Sequence, residues 1–151
     1  MTIVDDLRVL ASATQAALRD AGQRGTKVTV FRSQRGAVPG DRAWIQPVST
    51  DETGVSSGPY KTAGTLDVDV RIDWHAAKDM QAAATRMTKM LDRSNANCVQ
   101  AHLYESSIGD RLKVTGAAWG ESTDDEGNVY VQGRVSVVVL SGSEAAGGTQ
   151  S

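Results

Sequence analysis

Asp67, Asp69 and Asp73 fall on one parity of a short stretch, with Arg71 between them, and clustered carboxylates are what a hard divalent cation takes. The spacing opposes that use. Alternate residues of an extended strand stand about 7 Å apart, so a tight site needs ligands from other elements, and no motif in the chain supplies them. The alternative is a polar stripe that meets solvent, a channel or a neighbouring subunit, pairing there with arginines such as Arg32, Arg35 or Arg42. Cys98 and His102 are the nucleophile-and-base candidate. Read as strand residues they lie about 13 Å apart, beyond the hydrogen-bond reach that an activated thiolate needs. His75 is expected to cap a helix or to lie at the surface. Asp124, Asp125 and Glu126 resemble part of a calcium loop, but the spaced ligands and the closing glutamate of an EF-hand are missing, which leaves a hydrated hairpin tip.

The chain contains no G-x-x-x-x-G-K-[ST], no H-E-x-x-H, and no G-x-G-x-x-G after a strand. Catalysis therefore has little to stand on, and neither a metal nor a cofactor is expected. A net charge of −2 with interspersed signs offers no basic footprint for a nucleic-acid duplex, so no sequence-specific nucleic acid is expected as a partner. Cys98 is the only cysteine, which excludes an intrachain disulfide. No apolar run approaches the roughly 20 residues of a membrane helix, and Met1 to Leu10 carries acids where a signal peptide carries bases. The expectation is a protein with no membrane partner.

The elements that must position these side chains are organised around one stretch. Leu66, Val68, Val70, Ile72 and Trp74 alternate with the polar stripe, the period of a strand with one apolar face. From His75 to Ser94 the period becomes helical, and Met80, Met87, Met90 and Leu91 line an apolar stripe that reads as core. Ahead of this unit come a helix over Ile3 to Ala21, ended by Gly22, a strand over Thr26 to Arg32, and a short strand over Ala43 to Gln46. A long loop, Ser49 to Ala63, precedes the central strand. Behind it, Val99, Ala101 and Leu103 alternate, which predicts a strand from Cys98 to Glu105. Runs from Arg111 to Glu121 and from Asn128 to Leu140 read as a hairpin. The order is α-β-β-β-α-β-β-β: one α+β domain over residues 1–140, a single mixed or antiparallel sheet with two helices packed on one face, and a disordered Gly/Ser-rich tail over 141–151. Leu66, Val70, Trp74, Met80, Met87, Leu91, Val135, Val137, Leu7 and Leu10 are expected to share one core.

An amphipathic N-terminal helix, two strands with long loops, an alternating strand running into a central helix (Thr65 to Leu91) and a valine-rich last strand make a pattern that resembles the tail terminator, or tail completion, proteins of long-tailed bacteriophages and tail-like particles. The resemblance covers roughly Thr2 to Leu140 and rests on element order, since the family carries no catalytic signature. It implies a subunit of a hexameric ring that caps the tail tube, stops its polymerisation and offers the joint to the head. The implied partners are further copies of the chain, the tail tube protein and the head–tail connector protein. The implied location is the virion at the head–tail junction, after assembly in the host cytoplasm. The loop Ser49 to Ala63 and the Gly/Ser-rich tail depart from the family. A secretion-chaperone-like protein-binding domain is the alternative with a similar element order, but it would be a dimer and needs a further helix after the last strands. A small metal-dependent enzyme built on Asp67, Asp69 and Asp73 is the third reading.

Overall fold

The computed structural model describes residues 3–23, 26–31, 41–48, 65–76 and 79–140. Helix α1 (Ile3–Asp20) is followed by strands β1 (Val28–Val30), β2 (Arg42–Pro47) and β3 (Thr65–His75), helices α2 (Met80–Leu91) and α3 (Val99–Tyr104), a 3-10 turn at Gly109–Arg111, and the hairpin of β4 (Leu112–Thr123) and β5 (Val129–Leu140). Gly22, with φ +82°, stops α1. The Gln23 N–H donates to the Leu18 carbonyl and the Gly22 N–H to that of Arg19, a Schellman closure whose left-handed residue favours glycine. Helix α2 starts at its N-cap Asp79, whose side chain accepts the Ala82 N–H at 2.9 Å.

The five strands form one mixed sheet in the order β1-β2-β3-β5-β4, with β1 parallel to β2 and every other pair antiparallel. On β3, Leu66, Val68, Val70, Ile72 and Trp74 are all buried, and across β5 they meet Val139, Val137, Val135, Gly133 and Val131. Burying one such side chain is worth about 2 kcal/mol, so the five together match the whole net stability of a small domain. A one-residue slip would turn them all outward, which fixes the register. The three helices close this face: Leu7, Leu10, Met87, Leu91, Val99 and Leu103 belong to the same cluster as Leu66, Val70, Trp74, Val135 and Val137, with Met80 packed against it. The α+β class and the expected shared core are therefore both found. Helix α2 sits close to the sheet because β5 carries Gly133 there. A Cβ at that residue would come within 2.5 Å of Met87 Sδ.

Three expectations are corrected. Residues 98–105 are not a strand. Val99 and Leu103 are also one helical turn apart, and Gln100 is buried with its side-chain amide donating to the Leu91 carbonyl at 2.8 Å, an inward position that only the helix gives it. The order is thus α-β-β-β-α-α-β-β, with three helices on the covered face and not two. The central strand does not feed into α2 at His75. Pairing with β5 continues through His75, and the Ala76 N–H still donates to the Val129 carbonyl, so the helix waits for Asp79. The strand expected over Thr26 to Arg32 shrinks to three residues, its start held by Gln15 of α1, which accepts the Val28 N–H and donates to the Thr26 carbonyl. The loop 49–63 and the tail 141–151 lie outside the described residues. No helix among the described residues is long and apolar enough to cross a membrane.

Candidate functional site on the open face of the sheet

The odd-numbered residues of β3 point away from the helices, and the register sets residues of the two neighbouring strands beside them. Arg42, Trp44 and Gln46 come from β2, and Tyr130, Gln132, Arg134, Ser136 and Val138 from β5. The arrangement divides into a committed half and an open half.

The committed half lies over β2 and β3. Asp73 is wholly buried and pairs with Arg42, its direct cross-strand partner, at 3.2 Å. The Arg42 guanidinium also stands over the Trp44 ring, 4.7 Å from its centroid, while Arg71 lies over the same ring at 5.6 Å. Trp44 is itself buried and donates its indole N–H to Gln46 at 3.1 Å. Asp73 is therefore not part of an exposed stripe, and Arg42 finds its acid within the chain and not on a second copy. Asp67 and Asp69 are half-buried, and Asp69 accepts the Ser136 hydroxyl at 3.1 Å. Arg32 and Arg35 lie outside the described residues. Asp73 and Asp69 thus answer to different neighbours, and among the described residues no group of three or more His, Cys, Asp or Glu side chains could hold a metal ion.

The remaining candidates are also placed. His75 caps nothing. It ends β3 half-buried, its ring 5.4 Å from that of Tyr130 and its N–H donating to the Asp41 carboxylate at 2.9 Å. Cys98 and His102 stand one helical turn apart, so the strand-based distance between them does not apply. The Cys98 sulfur is taken by the Ala101 N–H at the start of α3, and His102 Nε2 turns to Asp20 of α1 at 2.7 Å. A hollow of about 530 Å³ beside this pair, lined by Arg8, Ser12, His102 and Glu105, contains no nucleophile placed against a base. Asp124 builds the hairpin turn. Its carboxylate accepts the N–H groups of Glu126 and Asn128, both at 2.9 Å, while Gly127 takes φ +86°.

The open half lies over β5 and β4. Among the described residues β4 is, with β1, one of the two edge strands of the sheet, and its residues 115–121 are exposed on both faces, with Trp119 41% exposed. Tyr104 covers its proximal end by accepting the Val114 N–H at 2.8 Å, and a bulge follows between Val114 and Gly116. Beyond the bulge, Gly116-Ala117-Ala118-Trp119-Gly120 contains neither proline nor charge, the usual protections of a free edge. The sequence reading missed this half. The visible signal was Arg134, a charge on the off-parity of a valine run. Neither a protein-family model nor a curated protein matches the chain.

Proposed function

We propose that the protein is a non-catalytic assembly subunit, a tail terminator that forms a ring on the end of a phage tail tube and offers the joint to the head. The observation that carries the reading is the free edge of β4, twelve residues long and exposed on both faces through its middle, in a sheet whose helices cover one side only. Such an edge presents a row of backbone donors and acceptors to another chain, and a ring closes when that contact is heterologous and repeats by rotation. The half-buried acids Asp67 and Asp69 line the same open side and stay in the assembly surface. Asp73 and Arg42 leave it, since they hold the fold.

Electron microscopy and mass photometry of the purified protein, alone and with tail tube subunits, test this reading. Rings that cap tubes and fix their length are the expected result. Tubes of unchanged length distribution with no bound protein overturn it. Replacing Asp67 and Asp69 together with Asn should leave the monomer folded and change the salt dependence of ring formation. Assembly identical to wild type across ionic strength removes those two acids from the interface.

A further inference from the structure

Arg71 of β3 and Arg134 of β5 are direct cross-strand partners on the open face. Like charges placed opposite each other on one sheet face oppose folding. The nearby acids are otherwise placed: Asp73 is paired with Arg42, Asp69 accepts the Ser136 hydroxyl, and Glu121, which lines the same hollow, forms no ion pair with either arginine among the described residues. Neither arginine has an ion-pair partner among the described residues, and Arg71 Nε is buried with no hydrogen-bond partner. Both line a shallow hollow of about 210 Å³ together with Gln132 and the β4 residues Ala118, Trp119, Gly120 and Glu121. Ala118 is the cross-strand partner of Arg134 and Gly120 that of Gln132, so directly opposite these two side chains β4 presents residues too small to fill the hollow.

We propose that Arg71 and Arg134, with Gln132 beside them, form an oxyanion site that takes a phosphate or carboxylate group. The guanidinium is planar and offers paired N–H donors that match the oxygens of either group, and the Trp44 ring holds Arg71 in place. An anion seated between the two arginines removes their mutual repulsion and supplies acceptors to donors that the fold leaves idle. The group comes from one of two sources, a free phosphate or an acidic side chain of a second copy, whose hairpin tip exposes Asp125 and Glu126. The site does not depend on the ring.

The test is an NMR titration of the full chain with sodium phosphate against sodium chloride at matched ionic strength. Saturable shifts at Arg71, Gln132 and Arg134 are expected, and Arg134→Gln and Arg71→Gln should each weaken the apparent affinity about tenfold. Arg134 is exposed, so its variant keeps the fold whatever Arg71→Gln does. Lys113→Gln, an exposed cation on the same face, should leave the affinity unchanged. A response that fails to saturate, survives in Arg134→Gln, or is equally lost in Lys113→Gln overturns the proposal, and does so even where rings form normally. Sedimentation velocity separates the sources. If phosphate and the double variant Asp125→Asn/Glu126→Gln both reduce self-association, the site takes the second copy's carboxylates; if neither does and the titration saturates, it takes a free anion.

Discussion

Gly133→Ala tests how closely α2 rests on the sheet. The added Cβ would stand 2.5 Å from Met87 Sδ, 3.2 Å from Met87 Cε and 3.4 Å from Leu91 Cδ1. Carbon–carbon contacts are most favourable at about 3.5–4.0 Å, so the sulfur must retreat by roughly 1 Å. Met87 is wholly buried, although its unbranched chain yields more easily than a β-branched one. Overpacking of this kind costs about 1–3 kcal/mol, and the lower entropy of an unfolded chain carrying alanine returns about 0.4–1 kcal/mol. The net expectation is a loss of about 1–2 kcal/mol, read as a lower urea midpoint with an unchanged slope. Met87→Ala alone should cost about 2–5 kcal/mol by leaving a cavity. In the double variant the new methyl occupies part of that cavity, so the two losses should fall short of additivity by at least about 1 kcal/mol. Gly133→Ala at wild-type stability, or strict additivity in the cycle, would show that the close approach of α2 to Gly133 is not what keeps this residue free of a side chain.

Three further outcomes follow from the same geometry. Asp73→Asn removes the buried acid that pairs with Arg42 and should cost about 3 kcal/mol in urea unfolding, part of which returns in Arg42→Gln/Asp73→Asn; a loss below about 0.5 kcal/mol in the single variant would remove the pair from the fold's support. Phe31 is 50% exposed with φ +69°, where a bulky residue is strained, so Phe31→Gly should raise stability by roughly 1 kcal/mol in the same assay, and a fall would deny the strain. The Asp92 carboxyl lies below the usual carboxylate range because its charged form accepts the Ser94 N–H first and the Ser94 hydroxyl second. What it contributes is therefore full above the unfolded carboxylate range and fades as pH falls through the lowered value; Ser94→Ala should move the Asp92 midpoint upward in an NMR titration, and an unmoved midpoint would deny the hydroxyl its part.

Local periodicity made the central strand, the first two helices and the hairpin readable, because each shows its buried face over many residues. Helix α3 was unreadable for the opposite reason. Six residues with Val99, Ala101 and Leu103 fit a period of two as well as a helical turn, and what separates them is Gln100, whose inward amide reaches the end of α2. Asp67, Asp69 and Asp73 show the same limit within the candidate site. They share parity and composition, yet one is wholly buried and two are half-buried. The difference comes from β2, whose register sets Arg42 opposite Asp73 and Gln46 opposite Asp69. No pattern within residues 65–75 encodes that. Arg134 was hidden in the same way, since only the β3–β5 register makes it a neighbour of Arg71.

The division of the open face constrains how copies of the chain can meet through it. On the β2 and β3 side, buried Trp44, Arg42 and Asp73 are already matched to one another, and a partner seated there would have to desolvate or displace groups whose interactions support the fold. On the β5 and β4 side Arg134 has no ion-pair partner among the described residues, Ala118 and Gly120 stand opposite Arg134 and Gln132, and residues 115–121 of the edge strand are exposed. The acidic hairpin tip lies in the turn between β4 and β5 whereas the arginines stand within β3 and β5, so tip and arginine row are distinct patches on one chain. An interface joining them either repeats head to tail, giving a closed ring or an open helix, or is made twice across a two-fold axis, and the stoichiometry of the assembled protein distinguishes the two.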